Sequence, residues 1–324
     1  MSSTRRAFLQ SATLAAGLAG TGSLSAQGQG QTPGRPPGGT GGQVSPAASV
    51  PDSEIRVPKV KFGKLEISRL ILGTNPFYGF AHYNQTLGRV MAEWYTPAKV
   101  VEVLKQCEKF GINAFNYVHI GRAQPDWEQY LAEGGRMHLI CQATMDDPAE
   151  LVNAVKPTAA WVQGERTDRA YRAGQLSSIR DYCRKMRDLG VTMVGVASHI
   201  PEVLVTVEEQ GWDVDFYAGC AYNIRRTPEE FRKLLGGELP EMPSEVYLQD
   251  DPPRMYKVFQ QTRKPCFAYK ILAAGRVRSP EAAFKRAFQS IKPTDFVCVG
   301  MFPRVKDEVK EDAYFASRYG IPAT

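Results

Sequence analysis

Eight apolar runs, each followed by a helical pattern, set what this 324-residue chain can fold into. Four of them close on a polar residue: 114–119 on His119, 139–142 on Gln142, 160–165 on Glu165 and 193–199 on His199. The others span 70–76, 216–223, 266–272 and 296–301. Nearly continuous apolar strands belong to a parallel sheet covered on both faces, because a solvated face would alternate with polar residues. Amphipathic patterns fall between them at 97–110, 148–155, 177–189, 201–210, 228–235, 253–263, 280–290 and 305–318. Several open on Pro, whose missing N–H costs nothing in a first helical turn. Alternation of this kind over about 250 residues predicts a (β/α)8 barrel rather than an open doubly wound sheet. No Gly-x-Gly-x-x-Gly follows the first run, which also argues against the open sheet. Ligands of such barrels gather where the strands end, so the four closing side chains are candidates for one site.

The first 50 residues are a different kind of polymer. Ser3-Thr4-Arg5-Arg6-Ala7-Phe8-Leu9 precedes an Ala/Leu/Gly stretch that runs to about Ala26 without an acidic residue. This resembles a twin-arginine export signal, with small residues near Ser25 and Ala26 for cleavage; an ordinary secretory signal is the alternative. Residues 27–50, rich in Gly, Pro, Gln and Ser, read as a flexible linker outside the fold. The expected organisation is a signal peptide over 1–26, the linker over 27–50 and a barrel domain over 51–324. The export machinery is then a partner, and the destination is the periplasm or beyond.

Of six cysteines, Cys141, Cys220, Cys266 and Cys298 sit inside strand runs and read as small buried hydrophobes; Cys107 and Cys183 fall on helices. No Cys-x-x-Cys spacing suggests a metal. The formal charge of +6 includes Arg5 and Arg6, and no stripe of Lys and Arg offers a nucleic-acid footprint. Arg225-Arg226 and Arg184-Lys185 read as solvated loop and helix faces. After the leader no apolar segment is long enough to span a bilayer, so the mature protein is not expected to be membrane-spanning.

Ahead of the first barrel run, 57–68 reads as a short hairpin turning at Gly63-Lys64. A hairpin followed by Leu65-Glu66-Ile67-Ser68-Arg69-Leu70-Ile71-Leu72-Gly73-Thr74 resembles the opening of the aldo/keto reductases. Gly111-Ile112-Asn113-Ala114-Phe115-Asn116, Gly195-Val196-Ala197-Ser198-His199, Ala221-Tyr222-Asn223 and the segment 268–275 are similar to further motifs of that family, as is 299–313. The resemblance spans nearly all of 55–318. It implies a barrel whose floor is plugged by the hairpin, and carbonyl reduction with NADP.

The resemblance breaks at the chemistry. Carried over position by position, the family's catalytic Asp becomes Asn116, its Tyr falls near Gly121, its Lys becomes Gln142 and its His becomes Glu165. A Tyr donor working near neutral pH needs a charge system to shift its pKa, and an amide at the Lys position supplies none. Tyr117 is a substitute only if it faces the same way as Asn116, against strand alternation. For the cofactor, the resemblance leaves Ser198 for the nicotinamide carboxamide, and Gly300 with Arg304 for a phosphate.

What remains at the predicted rim suits other chemistry. His119, Glu165 and His199 are a ligand set for a divalent metal with open positions. Equally, they form a metal-free polar site in which Glu165 is a general acid or base, its pKa raised in a partly apolar mouth. Gln142 is hydrogen-bonding support, and Lys270 stabilises an oxyanion or pairs with Glu165. Phe77, Tyr78, Phe80, His82, Tyr83, Trp94, Tyr95 and Trp127 crowd the first loops, as expected for a sugar-like substrate or for packing beneath a loop. The long connection 225–265 reads as a lid. The leading expectation is an exported barrel enzyme performing Glu165-centred acid/base chemistry on a carbohydrate or related carbonyl compound. The alternatives are a divergent NADP-dependent oxidoreductase and a non-catalytic binding barrel.

Overall fold

A computed structural model describes residues 45–237 and 245–322. The leader at 1–26, most of the linker and residues 238–244 of the lid connection lie outside the described residues. Strands β1 (Lys59–Phe62) and β2 (Leu65–Ser68) form an antiparallel hairpin. Eight parallel strands follow: β3 (Leu70–Gly73), β4 (Ala114–Val118), β5 (His138–Ala143), β6 (Ala159–Val162), β7 (Met193–Ser198), β8 (Phe216–Cys220), β9 (Cys266–Tyr269) and β10 (Phe296–Val299). They close in sequence order, β10 pairing with β3, into the expected barrel. Most stop short of the predicted runs, because at the mouth the backbone leaves the ladder and turns into loops or helices.

The helices are α1 (Gln85–Trp94), α2 (Pro97–Lys109), α3 (Ala123–Ala132), α4 (Pro148–Val155), α5 (Gly164–Arg172), α6 (Leu176–Asp188), α7 (Pro201–Glu209), α8 (Pro228–Leu235), α9 (Asp251–Gln261), α10 (Pro280–Ser290) and α11 (Glu308–Tyr319). Eight match the predicted patterns within a few residues. The sequence reading missed α1, α3 and α5, which are short or carry few apolar residues. Helix starts follow local chemistry: Thr96, Thr227, Ser279 and Asp307 each accept a backbone N–H of the first turn, and Thr227 completes a capping box with Glu230.

Strand alternation divides the core in two. Inward residues such as Ile71, Ile140, Trp161, Ala218, Phe267 and Phe296 cluster with Phe62 and Ile67 of the hairpin, whereas outward residues pack against the helices. The Phe62 ring lies 5.2, 5.3 and 5.8 Å from those of Phe216, Phe267 and Phe296, so the hairpin stoppers the barrel floor. Its turn needs Gly63: φ is +60°, and a Cβ there would stand 2.7 Å from the Met193 sulfur.

The fold reaches further toward the N-terminus than the linker reading allowed. Residues 46–49 form a short turn capped by Ser45; Ala47 is buried and Val50 packs on the core. The apolar pair Ala47 and Val50 gives this end of the linker something to bury. All six cysteines are free and buried. No helix among the described residues is long and apolar enough to cross a membrane.

Where β10 meets β3, buried Arg69 donates to the carbonyls of Asp295 (2.8 Å), Lys292 (2.8 Å) and Gly320 (2.9 Å), its guanidinium 4.9 Å from the Phe288 ring centroid. Arg69→Met should remove these three hydrogen bonds and cost about 3 kcal/mol, roughly one per lost bond. Urea unfolding followed by circular dichroism would measure it, and an unchanged midpoint would refute the clasp.

Candidate active site at the barrel mouth

The C-terminal ends of the strands open on a cavity of about 840 Å³. Its floor comes from inward positions of successive strands: Asn116 and Val118 on β4, Gln142 on β5, Trp161 on β6, Ala197 on β7 and Cys298 on β10. Oδ1 of Asn116 and Nε1 of Trp161 are buried without a hydrogen-bond partner among the described residues. Loops supply most of the walls, including Phe80, His82, His199, Arg225, Lys270 and Phe302, joined by Glu165 from α5 and Tyr269 at the end of β9.

His199 is the best-anchored titratable group in this cavity. It directly follows β7, and its buried imidazole places Nδ1 2.6 Å from Oδ2 of Asp168 on α5. Asp168 also accepts the Ser198 hydroxyl at 2.5 Å and the His199 backbone N–H at 3.2 Å. The carboxylate therefore accepts from Nδ1–H, which leaves Nε2 as the basic nitrogen. Burial holds His199 below its ordinary pKa; the Asp168 hydrogen bond and charge oppose this, while Lys270 and Arg225 reinforce it. The imidazole is thus neutral near pH 7.

Glu165 lines the cavity, but not from a strand end. β6 stops at Val162, and Glu165 belongs to the first turn of α5. Its side chain is 41% exposed, and Oε2 accepts from Arg225 at 2.8 Å. The isolated carboxylate in an apolar mouth expected from sequence is instead half of an exposed ion pair. Arg225 and Arg226 are likewise not solvated loop charges: Arg225 lines the cavity, and Arg226 is buried in a bidentate pair with Asp251.

Lys270 lines the cavity as well, with a left-handed φ of +59°. Its partner is Glu245 at 3.3 Å rather than Glu165, and Glu245 also meets His82 (3.2 Å) and the Tyr247 hydroxyl (2.6 Å). Burial would raise the Glu245 carboxyl, yet the His82 contact, the charges of Lys270 and His82 and the Tyr247 hydroxyl hold it well below the usual carboxylate range.

His119 does not join this group. Alternation ends with β4 at Val118, and His119 turns its Nδ1 to the Tyr117 hydroxyl at 2.8 Å, on the helix side of the strand. Tyr117 faces away from Asn116 and cannot act as the cavity's proton donor. His119, Glu165 and His199 therefore do not converge, and among the described residues no three His, Cys, Asp or Glu side chains are grouped to hold a metal ion. The metal reading is corrected accordingly.

The expected nicotinamide contacts fare no better. Ser198 points outward to Asp168. Gly300 lines the cavity, but the neighbouring Phe302 N–H already donates to Glu308 at 2.7 Å, and Arg304 is exposed outside the cavity wall. The wall beyond is acidic, formed by Glu308, Glu311 and Asp312 with Lys306. A phosphate would meet carboxylates where the sequence suggested free donors. The residues present do not fit the dinucleotide.

Sequence reasoning missed Asp168, Arg225, Trp161 and this acidic wall. Asp168 lies three residues after Glu165 on one helix, a spacing that puts both near the mouth. Trp161 is two residues from Ala159, on the same inward face of β6. Of the residues singled out in the first loops, Phe80 and His82 line the cavity, whereas Phe77, Tyr95 and Trp127 are buried in the core.

A closed eight-stranded parallel barrel with a plugged floor and a polar mouth defines a (β/α)8 barrel protein. The structure is similar to that of a Pseudomonas aeruginosa protein assigned to the aldo-keto reductases, with TM-score 0.54 and 13% identity over 81% of this chain and 94% of that one. It is also similar to Gox0644 in its apo form, with TM-score 0.50 and 12% identity over 83% and 90%. A variant of Gox0644 has been solved in complex with NADPH. At these identities the likeness is one of fold. No protein-family profile and no curated protein matches the sequence.

The His199 geometry predicts a measurable titration. Followed by the imidazole C–H signals in NMR, and assigned by their loss in His199→Gln, His199 should titrate below the ordinary value near 6.5. In Asp168→Asn it should titrate lower still, because the substitution removes the contributions that raise it. A midpoint at or above 6.5 in the wild type would contradict the buried neutral imidazole.

Proposed function

We propose that this chain is an exported enzyme that moves protons on a sugar or sugar-like carbonyl compound, using His199 rather than Glu165 as the base. The observation carrying this reading is the 2.6 Å contact between Asp168 and Nδ1 of His199 on the cavity wall. A neutral imidazole anchored at one nitrogen is suited to take a proton at the other. Lys270 and Arg225, whose charges already act on His199, are cations able to stabilise an oxyanion developing on the carbonyl. Glu165 holds Arg225 in the wall and is a positioning residue.

The substrate class follows from the lining. Trp161, Phe80 and Tyr269 offer ring surface to C–H faces, while Gln142, Asn116 and Arg225 offer hydrogen bonds to hydroxyls. The poor fit of Ser198, Arg304 and the acidic wall to a dinucleotide favours proton transfer over hydride transfer. Export rests on the Arg5-Arg6 leader and places the enzyme in the periplasm or outside the cell.

Incubating the protein with aldoses and ketoses in D2O, without nicotinamide, should place deuterium on the carbon next to the carbonyl, read by NMR. His199→Gln should lower the exchange rate roughly 10²- to 10⁴-fold while affinity changes only a few fold. Glu165→Gln should lose less. NADPH-dependent reduction of the same compounds, undiminished in His199→Gln, would replace this reading with the redox one; tight binding without exchange would leave a binding protein.

A further inference from the structure

We infer that the α11 end of the cavity takes a protonated amine, so that the substrate is an amino sugar or a comparable cationic polyol. The inference rests on the proposed function for the sugar-like part of the substrate, but its own argument is local. Glu308, Glu311 and Asp312 project from the first two turns of α11 into the cavity wall. Lys306 is the cation beside them, and it is committed to Glu311. Glu308 is committed to the Phe302 N–H at 2.7 Å. Asp312 has no such commitment: it is 3% exposed, lines the cavity, and has no hydrogen bond or ion pair among the described residues.

A buried carboxyl without a partner is costly to keep, and a charged one more so. Burial first, then the neighbouring charges of Glu308 and Glu311, push Asp312 well above the usual carboxylate range, with Lys306 opposing. An anion entering here meets repulsion. A neutral hydroxyl gains one hydrogen bond but leaves the crowded carboxyls uncompensated. An ammonium gives Asp312 a charge-assisted hydrogen bond and relieves its repulsion from Glu308 and Glu311.

Phe302 adds a second reason for a cation of this kind. Its ring lines the same cavity and is fixed by Trp94 at 5.4 Å and Tyr95 at 5.9 Å between centroids. A rigid aromatic face beside carboxylates suits an alkylammonium, which uses the ring quadrupole and the carboxylate together. A bare metal ion gains little from the ring, and its ligand grouping is missing among the described residues.

Matched pairs test the idea: glucosamine with glucose, galactosamine with galactose, and cyclohexylammonium with cyclohexanol, compared by calorimetry or saturation-transfer NMR on the wild type. The amine of each pair should bind about tenfold more tightly, the size of one charge-assisted hydrogen bond. Asp312→Asn, which keeps shape and removes charge, should bring the pairs within about twofold, and His199→Gln should leave the preference intact. Phe302→Leu should weaken it independently, which covers a failure of the Asp312 variant to fold. Equal binding within pairs, or a preference surviving in Asp312→Asn, overturns the amine site and leaves the sugar reading standing. Preference for cyclohexylammonium with no sugar bound supports the amine site and sinks the sugar reading, and binding by no member of any pair overturns both.

Discussion

A parallel barrel must close on itself, and in this chain closure depends on one buried guanidinium. Arg69 stands at the seam between the first and last barrel strands and gathers the carbonyls of Asp295, Lys292 and Gly320. Nearby, Asp295 accepts backbone N–H groups of Cys266 and Lys292, tying β9 to the same corner. With the seam fixed and Phe62 seated in the floor, the strands can diverge only at the opposite end. The mouth inherits its shape from this arrangement.

At the mouth, function depends on how charges are paired rather than on which are present. Glu165 with Arg225, Lys270 with Glu245, and Lys306 with Glu311 form three ion pairs around one opening. His199 differs because its partner leaves one ring nitrogen uncommitted, and Asp312 differs because it has no hydrogen bond or ion pair among the described residues. Groups that are neither saturated nor solvated mark where a ligand can gain free energy. The two lie in walls of one cavity, so a single ligand can answer both.

The barrel was legible because its signal is collective: eight apolar runs and as many intervening helices survive errors of a few residues at any boundary. The site was less so, because it depends on where a strand stops. His119 looked like a rim ligand one residue past Val118, but that residue is where alternation gives out. Glu165 looked like a strand terminus because Gln163-Gly164 gives no sign that a helix starts there. Asp168 and Asp312 gave no signal of their own: each shares a charged helix with other acids, and its burial appears only in the folded chain. Chemistry at Asn116, Gln142 and His199 was visible at the right positions; its partners came from elements far apart in sequence.

The six buried thiols impose an order of events on the life of this chain. Folded, every cysteine is buried, Cys298 in the cavity floor and the other five within the packed interior, and burial raises the pKa of each thiol, suppressing the reactive thiolate. Unfolded, the same six would be open to an oxidising environment and could be joined in fifteen complete pairings, none of which the barrel uses. On the proposed export route the risk is a matter of timing: a chain that completes its barrel among reducing agents arrives with its cysteines already out of reach, and one that arrives unfolded can be locked out of its own structure.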